Sequence, residues 1–248
     1  MKSLLFAANW KMNIGPADAR AYAKTFTSKV SPRDGRDLWF FPPGVSLEAT
    51  AQAMQGRPDT RVGAQNIYWE PKGAFTGSTS VDLARSAGAT TALVGHSERR
   101  HIFGETEGET AKKVHACLMG GVTPILCVGE KLEEREKGET LTVVLRQLGS
   151  ACSPLPADQL SQVVIAYEPV WAIGTGKNAT PQDASEVHKA IRAELLTRGH
   201  TGPRILYGGS VNEKNIASLL AESEVNGVLV GGASLDPEGW ARIVETAQ

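Results

Sequence analysis

The sequence predicts an α/β fold: a single (β/α)8 barrel over residues 1–248, with a parallel eight-stranded closed sheet and outer helices. Three observations carry this. Short apolar runs alternate with helical patterns about eight times over. Several of the runs lack polar alternation, which implies burial on both faces, as in a parallel sheet. Polar and glycine residues gather just after the runs, at one end of the strands. A doubly wound open sheet is the rival, but no GxGxxG follows the first run, which leads into Asn9-Trp10-Lys11.

In chain order, the predicted strands are Leu4–Ala8, Leu38–Phe41, Thr60–Ala64, Thr91–Val94, Pro124–Val128, Val163–Tyr167, Arg204–Tyr207 and Gly227–Val230. Their shortness and their β-branched and aromatic content favour strand over helix. Between them, Ala17–Val30 reads as a helix behind Pro16, a good first-turn residue. Val45–Met54 follows Gly44, and Thr106–Met119 stops at Gly120-Gly121. Thr180-Pro181-Gln182-Asp183 opens a helix with an N-cap, a first-turn proline and an early acid, and Gly199 ends it. Val211–Glu222 and Pro237–Thr246 complete the helices, and Lys131–Lys137 reads as a solvated helix face.

With 26 Lys+Arg against 27 Asp+Glu, nothing draws the chain to nucleic acid or to an anionic membrane. Any anion site must therefore be local. Cys117, Cys127 and Cys152 are an odd count without a CxxC pair, so neither a disulfide framework nor a metal site is expected. Reduced, cytoplasmic chemistry is the expectation. The apolar start ends at Asn9-Trp10-Lys11, too soon for a signal peptide, and no apolar stretch reaches membrane-spanning length.

Active sites of such barrels sit at the C-terminal ends of the strands. The first strand delivers Asn9 and Lys11, and the fourth delivers His96, Ser97, Glu98, Arg99 and Arg100. The fifth delivers Cys127 and Glu130, the sixth Glu168, the seventh Gly208-Gly209-Ser210 and the eighth Gly231-Gly232. Alone, each has an ordinary structural reading. Lys11 is a surface cation, His96 a hydrogen-bonded structural ring, Cys127 a packed small apolar residue, and Arg99 and Arg100 members of ion pairs. Together they offer a carboxylate base, an imidazole, a fixed cation and two glycine turns whose N–H groups can approach an anion. If Ser97-Glu98-Arg99 begins a helix, its N-terminus keeps the His96 ring neutral. The loop Pro169, Val170, Trp171, Ala172, Ile173, Gly174, Thr175, Gly176 and Lys177 carries an exposed Trp and Ile beside glycine hinges, as a lid over Glu168 would. No cofactor fingerprint is present. The chemistry left is proton abstraction beside a carbonyl in a small phosphorylated substrate.

The motifs Asn9-Trp10-Lys11-Met12-Asn13, Gly95-His96-Ser97-Glu98-Arg99-Arg100, Ala166 to Gly176, Tyr207-Gly208-Gly209-Ser210-Val211 and Val230 to Leu235 resemble, in order and spacing, those of the triosephosphate isomerase family. The resemblance implies interconversion of dihydroxyacetone phosphate and glyceraldehyde 3-phosphate through an enediol(ate), a step of glycolysis and gluconeogenesis, without a cofactor. It implies that Glu168 is the base, that His96 polarises the carbonyl, that Lys11 binds substrate and stabilises charge, and that Asn9 orients it. A Glu base paired with a neutral His under a closing loop is a recognised property of that family and enters here with the resemblance. Gly174, Ser210, Gly231 and Gly232 are implied phosphate contacts. Ser97 is implied to hold Glu168 when the lid is open, Glu98 to sit near Lys11, and Cys127 to back the site.

A homodimer is also implied, with Thr76 at the tip of the loop that docks beside the partner's active site. Ser78 stands where the family usually has Glu, an acid that can pair with an arginine of the partner, for which Arg99 is the candidate. A dimer held mainly by shape and apolar contact, and weaker than is usual for the family, is the expectation. The residues taken without the family also fit another phosphate-binding barrel isomerase or lyase, or a non-catalytic phosphate-binding barrel.

Overall fold

Alternate residues of the strands divide into two apolar sets, and that division builds the molecule. The computed structural model describes residues 3–173, 179–200 and 202–246. Its strands are β1 (Leu4–Asn9), β2 (Arg36–Phe41), β3 (Thr60–Ala64), β4 (Thr91–Val94), β5 (Thr123–Val128), β6 (Val164–Tyr167), β7 (Ile205–Tyr207) and β8 (Gly227–Val230). All pair in parallel in sequence order, and β8 pairs with β1 to close the barrel. Leu5, Ala7, Trp39, Phe41, Ile125, Cys127, Val164 and Ala166 fill the barrel interior. Their neighbours Phe6, Ala8, Leu38, Phe40, Leu126 and Ile165 pack outward under the helices. Burial on both faces explains why the runs read as continuous rather than alternating.

The same period-2 rule positions the site. The inward series Leu5, Ala7 continues to Asn9, and Val164, Ala166 continues to Glu168. Ile125, Cys127 continues to Gly129, where a Cβ would lie 1.7 Å from the Glu168 carbonyl oxygen. No side chain fits there, so the β5 exit and the β6 exit lie against each other only because this residue is glycine.

Helices Pro16–Lys29, Glu107–Met119, Pro181–Thr197 and Pro237–Thr246 fall where expected. Thr106 and Thr180 close capping boxes with Glu109 and Asp183. The helix expected over Val45–Met54 is a 3₁₀ turn, Gly44–Ser46, running into Leu47–Ala53. The helix expected over Val211–Glu222 is only Ile216–Ala221. There the Asn212 carboxamide accepts the N–H groups of Lys214 and Asn215, while Asn215 Oδ1 accepts that of Asn212. These side chains compete with the helical ladder and hold a turn.

Short helices Val81–Ser86 and Ala157–Leu160, and the longer Thr140–Cys152, went unread in the sequence. Thr140–Cys152 opens without a side-chain cap and carries Thr140, Thr142, Val143 and Val144, so burial of Val143, Val144, Leu148 and Ala151 has to hold it. Its Gln147 brackets Gly129, accepting the N–H at 2.8 Å and donating to the carbonyl at 3.2 Å.

Candidate active site

A cavity of about 330 Å³ opens at the C-terminal end of the barrel. Asn9, Lys11, His96 and Glu168 line it together with Ser210, Gly231 and Gly232. These strand-end residues therefore converge, whereas Ser97, Glu98, Arg99, Arg100, Cys127 and Glu130 do not line the cavity.

Glu168 is almost wholly buried. Its Oε1 lies 3.0 Å from His96 Nε2, and its Oε2 accepts the Ser97 N–H at 2.8 Å. Ser97 thus holds the carboxylate through its backbone, not its hydroxyl. Burial would raise the Glu168 pKa, but His96, the Ser97 N–H and Lys11 outweigh it and hold the group below the ordinary carboxylate range. A carboxyl held low keeps its charge as the pH falls through the ordinary range. His96→Gln weakens the strongest of the opposing influences, so the Glu168 midpoint should rise. A ¹³C titration of the carboxyl reads this directly, and an unmoved midpoint would show that the ring is not what holds it down.

His96 caps the helix Ser97–His101, and its Nδ1 accepts the Glu98 N–H at 3.3 Å. That contact needs a lone pair on Nδ1 and places the hydrogen of the neutral ring on Nε2, toward Glu168. Burial depresses the imidazolium, yet the Glu168 carboxylate and then Glu98 reverse this and raise its pKa above the ordinary value. The helix start alone does not decide the charge of His96, as the sequence had led us to expect. Among the groups that raise it, the facing carboxylate is the largest.

Lys11 sits in the left-handed region at φ 51°, a conformation costing a non-glycine residue about 1–2 kcal/mol. Asn9 Oδ1 accepts its N–H at 3.0 Å, and Gln65 Nε2 donates to its carbonyl at 2.7 Å. Gln65 follows β3 as the other polar residues follow their strands, so the strand-end pattern could have found it. The Lys11 ammonium is fixed on Glu98 at 2.7 Å. Asn9 Nδ2 lies 3.3 Å from His96 Nε2, so the β1 and β4 exits meet over the cavity floor.

Cys127 is fully buried inside the barrel, and burial together with the neighbouring Glu168 carboxylate pushes its thiol far up. It is a neutral packing group behind the Glu168 carboxylate. Arg100 makes no ion pair among the described residues. Its guanidinium donates to the Gly95 carbonyl at 2.7 Å and the Cys127 carbonyl at 3.1 Å. Arg99 does pair, with its own Glu105 at 3.3 Å, and it covers the Phe103 ring.

Of the loop after β6, Pro169–Ile173 is described; Gly174, Thr175, Gly176 and Lys177 lie outside the described residues. Trp171 is half-buried rather than exposed. Its Nε1 donates to Glu130 Oε1 at 2.9 Å, and the Tyr167 hydroxyl donates to the same oxygen at 3.1 Å. Arg135 stacks on the Trp171 ring and binds Asp183 at 2.8 Å, so part of Lys131–Lys137 is packed, not solvated. Sequence reasoning placed Glu130 at a strand end but missed its work, because its partners lie far along the chain. Thr76 and Ser78 line a separate hollow beside Gly44 and Arg99 and do not reach the cavity.

The model of the triosephosphate isomerase family matches residues 4–247. A relative named triosephosphate isomerase from Aquifex aeolicus is 47% identical over 97% of this chain and 98% of its own. Others of that name, from Caldanaerobacter subterraneus subsp. tengcongensis and Solibacter usitatus, are 46% and 43% identical, each over 98% of this chain and 99% of their own. With its closed parallel barrel and its matched length, this chain belongs to the triosephosphate isomerase family.

Proposed function

We propose that this protein is an isomerase that interconverts dihydroxyacetone phosphate and D-glyceraldehyde 3-phosphate by proton transfer. The observation that carries this is the shared cavity: a buried carboxylate, an imidazole, a fixed ammonium and two glycine turns line one space of about 330 Å³. Glu168 removes a proton from one carbon and returns it to the next. His96 Nε2–H donates to the carbonyl oxygen. A carbonyl that takes the place of the Glu168 carboxylate at Nε2 also removes the larger influence that raises the ring's pKa, which favours the neutral ring. Lys11 stabilises the oxyanion of the enediolate, and Asn9 orients the substrate between them. Ser210, Gly231 and Gly232 cradle the phosphate, joined by Gly174 from the lid.

Glu168 bonded to His96 and Ser97 is a resting position, and the carboxylate must turn toward substrate to act. Closure of Pro169–Lys177 over it would strip water from the carboxylate and strengthen the base. Pro169–Ile173 is anchored for such a motion at Glu130. Run in D₂O, the conversion of glyceraldehyde 3-phosphate should leave solvent deuterium at C1 of part of the product, because a base holding a substrate proton exchanges it. Product wholly free of deuterium would contradict proton transfer through Glu168.

The chain is further proposed to work as a cytoplasmic homodimer. Met12, Val45, Leu83, Ile102 and Phe103 are strongly exposed apolar residues on the segments after β1 to β4, which are neighbours in the sheet. Exposed apolar residues grouped on neighbouring segments favour an interface. Arg99 is already satisfied by Glu105 within its own chain, so Ser78 leaves no charge stranded. The dimer should persist on dilution in sedimentation experiments, whereas dissociation at assay concentrations would show that the missing acid at 78 matters.

A further inference from the structure

We propose that Ser234 and Tyr22 are positioning residues that aim the Gly232 N–H at the substrate phosphate. The inference rests on the phosphate assignment made above. It concerns two buried side chains that do not line the cavity.

The turn Gly232–Ser234 follows β8, and Gly231 ahead of it has φ −90° and ψ −104°, outside the ordinary helical and extended regions. The peptide between Gly231 and Gly232 is therefore turned by a special conformation, and something must hold it. Ser234 does so twice. Its N–H donates to the Gly231 carbonyl at 2.8 Å, and its hydroxyl lies 2.7 Å from the same oxygen and 3.0 Å from the Val230 carbonyl. In a trans peptide, C=O and N–H point to opposite sides. Drawing the Gly231 carbonyl toward Ser234 thus turns the Gly232 N–H away from it. Gly232 lines the cavity, and a Cβ on it would meet nothing within 4 Å, so its Cα is uncrowded there.

Tyr22, on the helix Pro16–Lys29, holds the other end of the turn. Its hydroxyl donates to the Ser234 carbonyl at 2.8 Å. Its ring packs on Trp10, the residue before Lys11, with centroids 4.6 Å apart. A Cβ on Gly231 would sit 2.8 Å from Lys11 Cε. The phosphate turn and the Lys11 loop therefore share one buried frame, with Ser234 and Tyr22 as its joints.

The test compares kcat/KM for glyceraldehyde 3-phosphate with that for unphosphorylated glyceraldehyde, the latter followed as deuterium exchange by NMR, together with inhibition by inorganic phosphate. Ser234→Ala should lower kcat/KM for the phosphorylated substrate about tenfold or more, the scale of a lost charge-assisted hydrogen bond. The inhibition constant of phosphate should rise by a similar factor, while glyceraldehyde exchange stays within about twofold. Tyr22→Phe should show the same split at about threefold, and it decides the matter if Ser234→Ala does not fold. Equal losses on both substrates, or none on either, would overturn the inference and leave the phosphate assignment standing. A wild-type protein that gains nothing from the phosphate would overturn both.

Discussion

Glu168→Gln should lower kcat by about 10³- to 10⁴-fold with the fold intact, the scale of a positioned general base. The amide has the shape of the carboxylate and can still accept the Ser97 N–H, which now meets Glu168 Oε2 at 2.8 Å. What it cannot do is take a proton from carbon. Glu168→Asp keeps the charge but withdraws it by one methylene, and misplacement on that scale costs on the order of 100-fold. The order of the two variants is the informative part. Asp well above Gln places the chemistry in the carboxylate, with reach as a second requirement. Near-normal turnover in Glu168→Gln, with an unchanged thermal midpoint, would put the base elsewhere.

Lys11→Met should cost about 10²- to 10³-fold in kcat/KM, as removal of one preorganised charge stabiliser does. The thioether stem still packs beside Gly231, where Lys11 Cε now lies. Glu98 loses its partner, but its side chain is 39% exposed, so water replaces the ammonium and the stability loss should be at most about 1 kcal/mol. Activity and stability therefore separate sharply. Loss of stability matching the loss of activity in urea titrations would instead make Lys11 a structural residue of its loop.

Much of this arrangement was legible in the residues, for a reason that lies in the strands. In a parallel barrel every strand has the same direction, so residues that follow the apolar runs must meet at one end. That is why Asn9, His96, Glu168 and Gly231 could be gathered without a structure. Strand ends shifted by a residue or two: Asn9, Arg36, Asp37 and Thr123 join strands that the apolar runs did not reach, while Val163 and Arg204 fall outside theirs. The helix Thr140–Cys152 was hidden by β-branched residues that only tertiary burial makes helical. Asn212 and Asn215 hid the turn that shortens the Val211–Glu222 segment, because their cross-bonds are visible only once folded. At the site, the cavity-lining residues were readable, as were Ser97 and Glu98 beside Glu168 and Lys11, whereas more remote supports were not. Glu130, Gln147, Ser234 and Tyr22 act through partners distant in sequence or through backbone groups that leave no pattern.

The most direct measurement is a coupled assay of the unaltered chain with D-glyceraldehyde 3-phosphate, without added metal or cofactor, over a range of enzyme concentrations. Rapid formation of dihydroxyacetone phosphate, proportional to enzyme, is the predicted result. Folded protein that gives no turnover at any concentration would contradict the isomerase reading and leave a barrel that only binds phosphate.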